Sequence, residues 1–267
     1  MKGCLKNTAI GCGALILLGI GAFGVLIFVS VNPFGDAIAA REQLDDRFGD
    51  QAAYRPPADG EIAPDRLDAF LSVRQAVYAL CDGFQETEQQ FQSMERFDDA
   101  EEVKGTEVLG EALKTTRMAF GLAPRIGELF EVRNQALLDA EMGLGEYSYI
   151  YVVAYHDRLV GPRTERLLFD DPDTNRRVRL ALRSMLERQL EELRSADMPP
   201  ESTTALEAEI AAMEEDPDRL PWQDGLPAEI AASVAPQRER LDALYCQSTA
   251  SLDLLRNTRH GLSIESE

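Results

Sequence analysis

Histidine is nearly missing from this 267-residue chain, which carries two, His156 and His260. Zinc sites use several His or Cys ligands, and the four cysteines fall nowhere in CxxC spacing. There is no HExxH, no Glu-x-x-His pair for a di-iron bundle, no GxSxG and no Walker A lysine motif. The metal, nucleophilic and nucleotide chemistries that announce themselves in a single sequence are therefore excluded. No cofactor is implied, no metal ligand is assigned and no catalytic residue is named. An enzyme working through carboxylates is the last-ranked reading, because a catalytic pair would be invisible among 47 acids.

Basic residues are also short. Lysine occurs four times, and beyond Asn32 there are 25 bases against 47 acids, a net charge of −22. Such a surface repels nucleic acid and anionic lipid headgroups. It suits a basic partner or divalent cations, and it also simply keeps a domain soluble. Strand-like runs are scarce as well. One stretch, 143–159, has β character, and a strand needs a partner for its backbone groups.

One long apolar run is present, Thr8 to Val31, without a charged residue. About 20 apolar residues suffice to cross a bilayer as a helix. Lys2 and Lys6 precede the run and Asp36 is the first acid after it, so the positive flank places residues 1–7 in the cytoplasm. The expectation is a transmembrane helix over 8–32 with everything beyond it extracytoplasmic, periplasmic in a Gram-negative cell. A cleaved signal with "AIA" at 37–39 is the competing reading, but the run is longer than a signal's apolar region.

Residues 33–63 read as a tether, with Pro56, Pro57 and Gly60 marking turns and extended chain. A helical bundle is expected over 64–256 and a frayed tail over 257–267. From Asp65, apolar residues at Phe70, Val73, Val77, Leu80, Phe84, Phe91 and Met94 follow a heptad seam that predicts one helix to about Ala100. Shorter amphipathic helices follow over 105–121, from Pro124, over 175–197, around Leu206 to Met213, and from Pro236 to Arg256. The heptad seam fits bundle core, with a homo-oligomeric coiled coil as the sharper alternative.

The stretch "GLGEYSYIYVVAYHDRL", 143–159, holds four of the seven tyrosines. As a strand it would put Tyr147, Tyr149, Tyr151 and Tyr155 on one face, and propensity favours it. Without a second strand, a helix apolar nearly all round and buried among others is the better reading. Tyr147, Tyr149, Tyr151, Tyr155 and His156 are then first a packing feature. Second, they are a candidate lining for a small-ligand pocket, because buried hydroxyls need partners.

Cys81 and Cys246 both lie in the extracytoplasmic portion. They are either a disulfide, which an oxidising compartment permits, or two buried thiols. A bond closing so long a loop stabilises by about 4 kcal/mol in the chain-entropy account. Together these features predict an all-α protein: one membrane helix, a tether and an extracytoplasmic bundle. The expected role is a non-enzymatic interaction or scaffold module of the bacterial envelope. Its expected partners are the membrane and a protein, with no nucleic acid.

Overall fold

The computed structural model describes residues 34–87, 107–160, 172–196, 200–216 and 219–255. Every regular element among them is helical. No helix among the described residues is long and apolar enough to cross a membrane. The expected span over 8–32 and the tail over 257–267 lie outside the described residues.

The expected tether over 33–63 needs correction at its start. Gly35–Phe48 is a helix, α1, with Ala37, Ala40 and Leu44 buried. These residues, with Phe34, recur at helical spacing and lie against α3, Glu107–Asp139. Only after Gly49, at φ 80°, does the chain become irregular, through a 3-10 turn at Gln51–Ala53 and the proline-rich stretch. Alanine is a weak apolar signal, which hid this helix from a reading based on large side chains.

Helix α2, Pro64–Tyr78, starts with proline in its first turn, where the missing N–H costs nothing. It buries Leu67, Phe70, Leu71, Val73 and Val77, and also Arg74. The single helix expected to reach Ala100 is interrupted at 79–80 before helical residues 81–87. Its remainder, with Phe91 and Met94, lies outside the described residues. The two helices expected either side of Pro124 are one, since α3 runs through that proline. Pro124 removes a hydrogen bond there, and the stripe Ile126, Leu129, Phe130 and Leu137 is buried just beyond it.

The tyrosine stretch is α4, Leu144–Ala154, followed by one turn, α5, His156–Leu159. Ten of the eleven α4 residues are buried. Glu146 is the exception, half-buried and ion-paired to Arg66 at 2.6 Å. A helix apolar on all sides can be stable only in the middle of others, and α4 packs against α2, α3, the 51–53 turn and the helices Pro172–Ser195 and Ala228–Val234. Helices α6, Pro172–Ser195, and α7, Pro200–Glu215, form an antiparallel pair. Arg194–Glu207 at 2.7 Å and Arg183–Glu214 at 3.8 Å mark its register.

The long helix expected over 236–256 is instead a series of short pieces. After α8 (Ala228–Val234), they are a 3-10 turn at Ala235–Gln237, α9 (Arg238–Ala243), a 3-10 turn at Gln247–Thr249 and α10 (Ala250–Asp253). Leu241, Cys246, Thr249, Ala250, Leu252 and Asp253 point inward from it. The residues 244–255 form a strap across the bundle, secured by contacts that are polar as well as apolar.

Gly60 shows how tightly the irregular stretch is docked. Its φ is 73°, and a Cβ there would fall 2.6 Å from Gln189 Nε2 and Ile230 Cδ1. Its carbonyl accepts the Tyr149 hydroxyl at 2.8 Å. Gly60→Ala should therefore cost about 2 kcal/mol by overpacking, added to the strain of a left-handed residue. Gly225, at φ 135° with open space around it, is the control: Gly225→Ala meets the strain without the clash. Equal melting temperatures for the two variants would contradict this account.

Candidate functional site

The centre of the molecule is a buried polar cluster. Arg74 of α2 and Asp253 of α10 pair at 2.8 Å, and both side chains are fully buried. The same Arg74 Nη1 donates to the Tyr147 hydroxyl at 2.9 Å, and that hydroxyl donates to Asp253 Oδ1 at 2.9 Å. Thr249 Oγ1 donates to the other carboxylate oxygen at 3.2 Å. Arg74 Nη2 donates to the Leu244 carbonyl at 3.0 Å. The Arg74 guanidinium lies 5.2 Å from the Tyr151 ring centre and 5.6 Å from that of Tyr155.

A second fully buried arginine, Arg133 of α3, stands beside this group. It donates to the carbonyls of Leu252 and Asp253 at 3.1 and 3.0 Å and to Asn134 Oδ1 at 3.2 Å. Its guanidinium also lies 4.9 Å from the Phe130 ring centre. Burial and Asp253 act in opposite directions on Arg74. Burial alone disfavours the cation, but Asp253 and the surrounding tyrosines outweigh it and hold the pKa well above the usual arginine value. Arg133 has weaker compensation, and burial lowers its pKa. The cluster thus sets two guanidiniums against one carboxylate.

The five candidate ligand residues of the tyrosine stretch all lie in this core. Tyr147 belongs to the ion-pair cluster. Tyr149 is engaged by Gly60 and lies edge-on to Trp222, 6.0 Å between ring centres. Tyr151 and Tyr155 meet edge to face with ring centres 4.8 Å apart, and Tyr155 lies against Tyr245 with tilted rings at 5.0 Å. The Tyr151 hydroxyl is buried without a hydrogen-bond partner, whereas the Tyr155 hydroxyl lies within reach of the Arg74 guanidinium. His156 Nε2 lies 2.8 Å from the Trp222 carbonyl, so a proton on that nitrogen makes the bond. The arrangement brings Tyr147, Tyr151 and Tyr155 together around Arg74 and directs Tyr149 and His156 to the Trp222 side.

Cys81 and Cys246 are joined by a disulfide spanning 165 residues, with Cα atoms 5.9 Å apart. It fastens the chain just after α2 to the beginning of the strap. Arg74, Arg133 and Asp253 escaped the sequence reading, although a signal for the two arginines existed. Arg74 continues the series Leu67, Phe70, Leu71, and Arg133 continues Ile126, Leu129, Phe130 at core spacing. A charge on the inward stripe of a helix is the mark of a buried ion pair, since such groups are almost never buried unpaired.

No group of three or more His, Cys, Asp or Glu that could hold a metal occurs among the described residues. No protein-family model, curated protein or solved structure matches this chain. The site must therefore be read from its own geometry.

A surface depression of about 240 Å³ lies beside Tyr155, lined by Ala154, Asp157, Arg158, Arg238 and Asp242. Its charges are already paired in part. Arg158 bridges Asp242 at 3.0 Å, and Arg238 donates to the Ala154 carbonyl at 2.8 Å, capping the end of α4.

The tyrosine core has a consequence at high pH. Burial, the largest cause in each case, raises the phenol pKa of Tyr54, Tyr147, Tyr149, Tyr151, Tyr155 and Tyr245. Unfolded tyrosines ionise near about pH 10, whereas the folded ones keep their protons above it. Their contribution is complete below the unfolded pKa and is lost as pH rises through the folded values. Phenolate absorbance should thus appear together with loss of the helical circular dichroism signal. Ionisation of these tyrosines in a fully helical protein would contradict the prediction.

Proposed function

We propose that the chain is a membrane-anchored interaction module acting in an oxidising, extracytoplasmic compartment of the bacterial envelope. The observation that carries this reading is the Cys81–Cys246 disulfide, because such bonds persist outside the reducing cytosol. The uncharged run Thr8 to Val31 and its lysine flank give the anchor and its direction. With that run as the membrane helix over 8–32, α1 begins within three residues of it. The domain's tyrosines serve the core, and its acidic exterior offers a partner charge complementarity and solubility. The test is crosslinking in intact cells followed by mass spectrometry. A basic protein partner crosslinked through the acidic surface is expected, and recovery of the chain strictly alone would overturn the reading.

A second reading, small-ligand binding, draws on the depression beside Tyr155. It does not draw on Tyr149 or His156, whose polar ends are bonded to Gly60 and Trp222. The paired arginines and aspartates there suit a small zwitterion. Under this reading free amino acids raise the melting temperature, and Arg158→Ala abolishes the rise; no shift with any of them disposes of it.

A further inference from the structure

The strap over 244–255 contains a 3-10 turn and a single turn of α-helix, too little to hold its own shape in water. It is held by side chains of other elements that reach its backbone. Arg74 donates to Leu244 O at 3.0 Å, Arg133 to Leu252 O at 3.1 Å and Asp253 O at 3.0 Å, and Gln51 to Leu254 O at 3.1 Å. Its one carboxylate, Asp253, enters between Arg74 and Tyr147. The rest of the bundle thus treats the strap as a bound peptide: guanidiniums grip its carbonyls, and a guanidinium and a phenol grip its acid.

Two further observations make the receiving surface a site in its own right. It carries two buried arginines for the single acid it receives. It also keeps hydrogen-bonding capacity that the strap does not use, in the buried Tyr151 hydroxyl. Besides the backbone that continues from α9, the Cys81–Cys246 bond, seven residues before Asp253, ties the strap to the site.

We propose that Arg74, Tyr147 and Arg133 form a receptor site for a carboxylate-bearing peptide. The chain's own strap fills it while the disulfide is intact, and the strap of a second copy can fill it once the bond is reduced. The reductant is a dithiol. One of its thiolates attacks a sulfur of the Cys81–Cys246 bond, giving a mixed disulfide and one cysteine thiolate. Its second thiol then displaces the other cysteine. Two protons end on the cysteines, and the reductant leaves as a cyclic disulfide. Without the disulfide the strap hangs from its own chain by the backbone alone; docking in cis and docking in trans then use the same contacts, and protein concentration decides between them. The proposal goes beyond the interaction-module reading and does not depend on where the domain resides.

Full-length chains with complementary single cysteines test this. A Cys81→Ala chain supplies a strap with Cys246, and an isotope-labelled Cys246→Ala chain supplies the site with Cys81. Mixed and oxidised, they should yield a Cys81–Cys246 peptide joining a light chain to a heavy one. Asp253→Asn on the strap-donating chain should reduce that yield at least tenfold, because the carboxylate seats the strap. Absence of the mixed peptide overturns the proposal. So does a yield indifferent to Asp253→Asn, which would mean random thiol encounter. Hydrogen exchange on the wild-type chain supplies a further readout: reduction by dithiothreitol should accelerate amides over 244–255 and leave α4 protected. Loss of protection in both, or of helical circular dichroism on reduction, would show that the strap is no separable unit and overturn the proposal equally.

Discussion

Asp253→Ala is expected to destabilise the protein by about 3–5 kcal/mol, the range for deleting one partner of a buried ion pair. The reason is the charge left behind. Arg74 is fully buried and Asp253 is the carboxylate it pairs with; Arg133, also fully buried, already opposes Arg74 electrostatically. Removing the acid leaves two guanidiniums in one core without an anion. It also leaves the Tyr147 hydroxyl without its acceptor and takes the nearer of two from Thr249, and an unpaired buried group costs about 1–3 kcal/mol in its own right. Asp253→Asn keeps the shape and an acceptor oxygen and should fall between wild type and alanine. Removing both charges in Arg74→Met with Asp253→Leu should cost less than the sum of the two single changes, a coupling of about 1–3 kcal/mol. Denaturant midpoints measure all five variants. Additivity in that cycle would mean that the two residues do not stabilise each other, however close they lie.

How much of this could be read in advance depends on what kind of signal each element leaves. Large apolar residues at helical spacing located α6 and α7 with boundaries near those observed, and the start but not the end of α2, because their stripes contain Leu, Val, Phe and Met. The tyrosine segment was readable as a buried helix from the missing strand partner, against its local β preference; tertiary burial outweighs such preferences. Alanine-lined α1 looked like tether, since Ala37 and Ala40 carry almost no amphipathic contrast. Breaks inside apolar runs were harder still. The interruption at 79–80 and the short pieces after Ala235 carry no glycine at the break, and tertiary fastening sets them. The two cysteines could be singled out because they were few. Asp253 could not, as one acid among 47. Its partner Arg74 was in principle visible, as a cation inside a run of core positions.

Cys81→Ala with Cys246→Ala is expected to cost about 2–5 kcal/mol, and the 165-residue separation puts it toward the upper end in the chain-entropy account. Both sulfurs are buried, so the alanines also leave space that the core must fill or tolerate. Either single substitution should cost nearly as much as the pair, since one bond is lost in each case. More can be learned by combining this change with Asp253→Ala. Both act on the strap, one at Cys246 and one at Asp253, and local structure of this kind opens as a cooperative unit. Once the strap is loosened at one end, the second substitution removes contacts that are already weakened. The combined loss should therefore be clearly smaller than the sum of the separate losses. Gly60→Ala provides the comparison, because it acts on the Gln189 and Ile230 side of α4 and should add fully to either. Strict additivity of the cysteine and Asp253 changes would mean that the two ends of the strap are held independently, and would remove the basis for its exchange between copies.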